Sequence, residues 1–167
     1  MKTLILVRHA KSNWDDPALT DFERPLNRRG LKDAPMMGKI ISQKEIKPEL
    51  IISSPAVRAL TTAKHFAEAM SFPLDLIKKE NAVYEHGPNG VLRLLQKIDV
   101  EINSVMLFGH NPDLTHLVSF FTNKAFENIP TCGVVCLDFD IISWEELNAG
   151  KAKLRFFEYP KKYRDEK

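Results

Sequence analysis

Three times this chain runs a short apolar, β-branched stretch straight into a turn bearing basic side chains. Thr3-Leu4-Ile5-Leu6-Val7 meets Arg8-His9, Glu49-Leu50-Ile51-Ile52 meets Ser53-Ser54-Pro55-Ala56-Val57-Arg58, and Ser104-Val105-Met106-Leu107-Phe108 meets Gly109-His110-Asn111-Pro112. Apolar runs of this length bounded by polar residues predict buried strands. Ser54 and Asn111 are favourable N-cap residues, and a proline after each suits the first helical position, where a missing N–H costs nothing. Helices are therefore expected to begin at Pro55 and Pro112. Strands that each feed a helix constrain the chain to an α/β fold, a three-layer sandwich with helices on both faces of a central, largely parallel sheet. In such sheets ligands gather beyond the carboxyl ends of the strands. With the three strands side by side and parallel, Arg8, His9, Arg58 and His110 converge on one sheet edge. Two guanidiniums and two imidazoles beside helix N-termini suit a phosphate.

The remaining elements follow from periodicity. Ser12 to Arg29 is polar and irregular and reads as a loop over the pocket mouth. Leu31, Ala34, Gly38 and Ile41 keep helical spacing, but an interior Pro35 costs about 3 kcal/mol, so a kink or late start is expected. Leu60, Ala63, Ala67 and Met70 mark a second helix, Val91, Leu94, Leu95 and Ile98 a third, and Leu114, Leu117, Val118 and Phe121 a fourth. Further strands are expected at Leu74 to Ile77, Gly133 to Phe139 and Leu154 to Tyr159, with a short turn at Trp144 to Leu147 and a connection at Gly150. A chain of 167 residues that is 44% hydrophobic can bury one sizeable core, so residues 1–160 read as one domain and 161–167 as a frayed tail.

With 24 basic and 22 acidic residues the net charge is only +2, which argues against nucleic acid or a membrane surface as the partner. The start leads directly into the first strand without a signal-like apolar segment, and no apolar run of about 18 residues occurs; the reading is a soluble, cytoplasmic protein. Cys132 and Cys136 are expected on one strand face, ~13 Å apart and too distant to bond. Buried free thiols fit a reducing compartment.

Leu6-Val7-Arg8-His9-Ala10, the stretch from Ser53 to Ala63, and Gly109-His110-Asn111-Pro112 together resemble the three motifs, in order, of the histidine phosphatase superfamily, whose fold is called phosphoglycerate mutase-like. Asp21-Phe22-Glu23-Arg24-Pro25-Leu26-Asn27-Arg28-Arg29-Gly30 and the His-Asn-Pro form of the last motif are most similar to its SixA-type phosphohistidine phosphatase branch. Ala10 stands where that family usually has glycine, and Asn27 where threonine or serine is common. The resemblance implies a metal-independent phosphatase, without cofactor, in which His9 is the nucleophile. Arg8 and Arg58 clamp the phosphoryl group, and a protonated His110 neutralises more of its charge. Arg24 and Ser12 join the substrate rim, and Glu85 is the candidate acid for the leaving group. The implied partner is a protein carrying phosphohistidine or a small phosphorylated substrate. Like charge from the two arginines is expected to lower the pKa of His9, and a backbone carbonyl to hold its second nitrogen.

The residues argue against other phosphatase chemistries. A cysteine phosphatase needs an arginine six positions past its nucleophile, where this chain has Asp138 and Ile142. Asp138-Phe139-Asp140 resembles the start of an aspartate phosphatase, but too little chain follows to supply the partners. His65, His86 and His116 have no zinc-ligand spacing. A non-catalytic module could use the same arginines to bind a phosphorylated partner, yet it would need no second imidazole.

Overall fold

The computed structural model describes residues 1–164. One sheet holds β1 (Lys2–Arg8), β2 (Leu50–Ser53), β3 (Lys78–Lys79), β4 (Ser104–Gly109), β5 (Val134–Phe139) and β6 (Ala152–Glu158), in the spatial order β3-β2-β4-β1-β5-β6. β1 to β4 run parallel, whereas β5 and β6 are antiparallel additions on the far side of β1. The helices are α1 (Arg28–Ser42), α2 (Val57–Ala69), α3 (Ala82–Glu85), α4 (Gly87–Gln96) and α5 (Asp113–Thr122).

β1 is apolar throughout because both of its faces are covered. Leu4 and Leu6 pack with Val91 and Leu95 of α4 and Leu114, Leu117, Val118 and Phe121 of α5. Ile5 and Val7 pack on the other side with Ala34, Met37 and Ile41 of α1 and Ala63, Phe66 and Ala67 of α2. Alternation along the strand thus makes the three-layer sandwich. Register then sets the site: Arg8 lies beside Gly109, and Ser53 beside Phe108, so three parallel strands end nearly level.

Several local expectations are corrected. α1 runs without interruption through Pro35, which lies on its exposed side, where the carbonyl that loses its N–H partner is open to water. Leu31 is likewise exposed, and Asp33, Ala34, Met37, Gly38 and Ile41 form the buried stripe. The helices begin at Val57 and Asp113, later than the prolines; Ser54 Oγ still accepts the Ala56 N–H at 3.1 Å, and Asn111 Oδ1 the Thr115 N–H at 3.2 Å. Leu74–Leu76 is a 3-10 turn, and the strand that follows it carries two exposed lysines, a composition that protects a sheet edge. Cys132 precedes β5, in a left-handed conformation with φ of 60°; it and Cys136 are buried and free. At the chain's end Pro160–Lys162 forms a 3-10 turn, Glu158 pairs with Lys44 and Lys162, and Arg164 pairs with Asp33. Residues 165–167 of the tail expected to fray lie outside the described residues.

Candidate active site

β1 ends by presenting His9, whose N–H still donates to Gly109 O at 3.1 Å, so sheet geometry fixes the imidazole's position. The ring Nδ1 lies 2.7 Å from Ala10 O. A carbonyl can only accept, so Nδ1 carries the proton and Nε2 keeps its lone pair. Toward that lone pair points Arg58 Nε, at 3.4 Å, from the first turn of α2. Thr62 sets this approach: its Oγ1 accepts the Ala10 N–H at 3.0 Å and donates to Arg58 O at 2.7 Å, tying α2 to the turn after β1.

His110 follows β4, its ring centroid 5.2 Å from that of His9. Ser54 Oγ lies 2.8 Å from His110 Nε2 and already accepts the Ala56 N–H. A serine oxygen has two lone pairs, so the contact suits either His110 tautomer; where the hydroxyl donates to Nε2, the His110 proton sits on Nδ1. His110 Nδ1 and Arg8 Nε are both buried without a hydrogen-bond partner, while Arg8 Nη1 donates to Ile129 O at 2.9 Å. An unmatched buried polar atom costs about 1–3 kcal/mol.

A carboxylate that sequence reasoning passed over completes the arrangement. Arg58 donates through Nη1 to Asp21 O at 2.7 Å and through Nη2 to Asp21 Oδ2 at 3.0 Å, and Tyr84 OH donates to the same oxygen at 2.7 Å. Arg24 Nε reaches Asp21 Oδ1 at 3.3 Å and Arg24 Nη1 donates to Ser12 Oγ at 2.8 Å. The spacing of Asp21 and Arg24, three apart, is the signal in the sequence; Thr62 has none beyond its place between Ser53 and Ala63, and Tyr84 has none.

These side chains surround a cleft of about 230 Å³ lined by Arg8, His9, Ser12, Arg24, Arg58 and His110. All the residues anticipated for the site converge there except Glu85, which is exposed at the end of α3 and does not line the cleft. His65, His86 and His116 do not line it either. A larger hollow of about 560 Å³ between α5 and β6 is lined by neither histidine nor arginine, so chemistry rather than size distinguishes the cleft. Among the described residues, no cluster of three or more His, Cys, Asp or Glu is placed to hold a metal ion, and no helix is long and apolar enough to cross a membrane.

Burial, followed by the charges of His110, Arg58 and Arg8, pushes the His9 imidazole down to about 3 despite the opposing Ala10 carbonyl. The anticipated direction holds, but desolvation outweighs the arginines. His110 is likewise pushed down to about 4, by burial first and then by Arg58, with Asp21 opposing. At that value the His110 imidazole by itself is neutral near pH 7. For Asp21 burial acts upward, but hydrogen bonds from Tyr84 and Arg58 and the charges of Arg58 and Arg24 prevail and bring it down to about 2.

These shifts predict a stability profile. Folded values below the ordinary imidazole value of about 6.5 mean that the unfolded chain binds more protons as pH falls. Stability from the two neutral histidines is full above that value and is lost on acidification through about 4 and then about 3, each group adding up to ~1.4 kcal/mol per pH unit. Asp21 adds a loss only below 3.8. Thermal melts should thus be level from pH 7 to 8 and fall from pH 6.5 to 4.5, and His110→Gln should flatten that fall by about half.

The entry to the cleft depends on a close approach. Asn27 N–H donates to Lys11 O at 2.9 Å and Asn13 N–H to Pro25 O at 2.8 Å, and a Cβ on Gly30 would collide with the Lys11 carbonyl. Gly30→Ala should displace the Lys11–Ser12 segment and lower stability by about 1–3 kcal/mol, measurable by denaturant unfolding.

Sheet, cleft and side chains define an α/β protein arranged to accept a tetrahedral oxyanion. A family model described as the histidine phosphatase superfamily (branch 1) matches residues 4–81. An uncharacterized chloroplastic protein of Arabidopsis thaliana is 31% identical over 153 residues, which cover 87% of this chain and 70% of that protein. The SixA phosphohistidine phosphatase candidate of Agrobacterium tumefaciens has a TM-score of 0.79 at 26% identity, over 95% of this chain and 98% of that one. The protein histidine phosphatase SixA complexed with tungstate shares the fold with a TM-score of 0.81 at 20% identity, over 97% and 99% of the two chains. This chain belongs to the histidine phosphatase superfamily, and the SixA proteins are similar to it over nearly its whole length.

Proposed function

We propose that this chain is a metal-independent cytoplasmic phosphatase that hydrolyses protein phosphohistidine through a covalent phosphohistidine on His9. The observation that carries this reading is the His9 ring: its proton is committed to Ala10 O, and its bare Nε2 faces a basic cleft. Arg8 and Arg58 hold the phosphoryl oxygens, and His110, which lines the same cleft, completes the cradle. Nε2 attacks phosphorus in line as the bond to the substrate's imidazole nitrogen breaks. The ring's free nitrogen takes a proton from solvent as this bond breaks, so the ring leaves as neutral imidazole with the bonding pair on the departing nitrogen. Water then attacks the phosphoenzyme, returning the electron pair to His9 Nε2 and releasing phosphate. His110 enters as a neutral donor, and the negative charge of bound phosphate favours its protonation.

The state of Asp21 supports the choice of leaving group. Expelling an alkoxide calls for a positioned general acid, because its conjugate acid resembles water with a pKa near ~15.7. The carboxylate that reaches Arg58 is ionised, and Glu85 does not line the cleft. Imidazole, with a pKa of about 6.5, needs far less help. Between β3 and β4 stand only the short helices α3 and α4, which leaves room for a protein-borne substrate.

The test is turnover of a phosphohistidine peptide and a phosphoserine peptide by purified protein in the presence of a chelator. The expected result is a preference of at least about 100-fold in kcat/KM for the phosphohistidine peptide. Preference for the ester would replace this reading with a small-phosphoester phosphatase or mutase. Binding without turnover of either peptide would indicate a phosphate-binding module.

A further inference from the structure

We propose that Trp14 forms a leaving-group subsite on which a neutral planar ring of the substrate stacks while its phosphoryl group lies in the cleft. The proposal rests on the phosphate-accepting reading of that cleft. Trp14 is 73% exposed, whereas Trp144, the chain's other tryptophan, is fully buried. An indole so open to water is not held by the core. It is held by Arg24, whose guanidinium carbon lies 3.3 Å from the ring centroid.

The backing is rigid. Arg24 is itself buried and fixed by Ser12 Oγ and Asp21. Ser12 pairs with Leu26 in an isolated antiparallel bridge, and Asn13 N–H donates to Pro25 O, so the segments carrying Trp14 and Arg24 are joined to each other. Trp14 also lines the cleft together with His9 and Arg58. One indole face is taken by Arg24, and most of the remaining ring surface is open at the cleft that Trp14 lines.

The charge behind the ring selects its occupant. A second cation would be repelled across the indole by Arg24, and the guanidinium draws π density toward itself, which favours a neutral, electron-rich ring on the open side. A neutral imidazole or a phenol fits that description. An aliphatic alcohol offers no face to stack.

Calorimetric binding of phenylphosphonate and ethylphosphonate tests the subsite independently of turnover. The parent should bind the phenyl compound roughly tenfold more tightly, a stacking increment of ordinary size. Trp14→Ala should bring the two affinities within about twofold, mainly by weakening the phenyl compound, and Trp14→Phe should keep most of the difference. Trp14→Leu, which still shields Arg24 but cannot stack, should lose it. Equal affinities in the parent, equal losses for both compounds in Trp14→Ala, or full retention in Trp14→Leu would overturn the subsite while leaving the phosphate cleft intact. Binding of neither compound by the parent would overturn the cleft reading and the subsite with it.

Discussion

His9→Ala should lower phosphatase turnover about 10,000-fold or more while the chain remains folded, because the variant removes the atom that forms the covalent bond rather than one that stabilises charge. The ring makes no strand-pairing hydrogen bond of its own; its sheet contact is through the backbone N–H to Gly109, which alanine keeps. What the variant loses structurally is the Nδ1 bond to Ala10 O, the contact with the His110 ring and the long 3.4 Å bond from Arg58 Nε, whose guanidinium Asp21 still holds. Its melting temperature should therefore stay close to that of the parent while kcat collapses, and far-ultraviolet circular dichroism alongside steady-state kinetics would show both.

The second large effect is expected at Arg58, where alanine should cost about 100- to 1,000-fold in kcat, the range for removing one preorganised donor aimed at developing charge. Part of that loss comes from Asp21. With Arg58 gone the Asp21 carboxylate keeps only Arg24 and Tyr84, and its negative charge then opposes an incoming phosphate. Asp21→Asn in the Arg58→Ala background should recover about 3- to 10-fold, whereas Asp21→Asn alone should free the Arg58 fork and alter KM more than kcat. Rate constants for the four members of this double-mutant cycle measure the coupling directly.

Much of this architecture was legible in the chain because its signals were local. β1 reads as a buried strand since both of its faces are covered, and the turns after β1, β2 and β4 announce themselves by an abrupt change from apolar to basic. The antiparallel additions β5 and β6 leave the level parallel ends of β1, β2 and β4 undisturbed, so Arg8, His9, Arg58 and His110 meet as expected. Where the reading failed, a tertiary effect outweighed a local one. Pro35 is tolerated because its side of α1 faces water, a fact that periodicity centred on Leu31 could not reveal.

The site's electrostatics were harder to anticipate. The resemblance implies a protonated His110 around a phosphoryl group, whereas burial first, and then the charge of Arg58, push its imidazole down to about 4. Spacing could not distinguish Asp21, in a polar loop, from the other acidic residues around it. Its role depends on that loop folding back so that Arg58 reaches both its carbonyl and its carboxylate. Glu85 drew attention through the resemblance, yet the residue directly before it, Tyr84, is the one whose side chain reaches Asp21 at the mouth of the cleft.

The central claim, a phosphoryl group carried on His9 Nε2, is tested most directly by trapping it. Brief incubation with a radiolabelled phosphoryl donor, an alkaline quench and peptide mapping should place acid-labile, alkali-stable label on the peptide containing His9, with none in His9→Ala. Label that persists in His9→Ala, or that maps to Asp21 or to His110, would contradict the account.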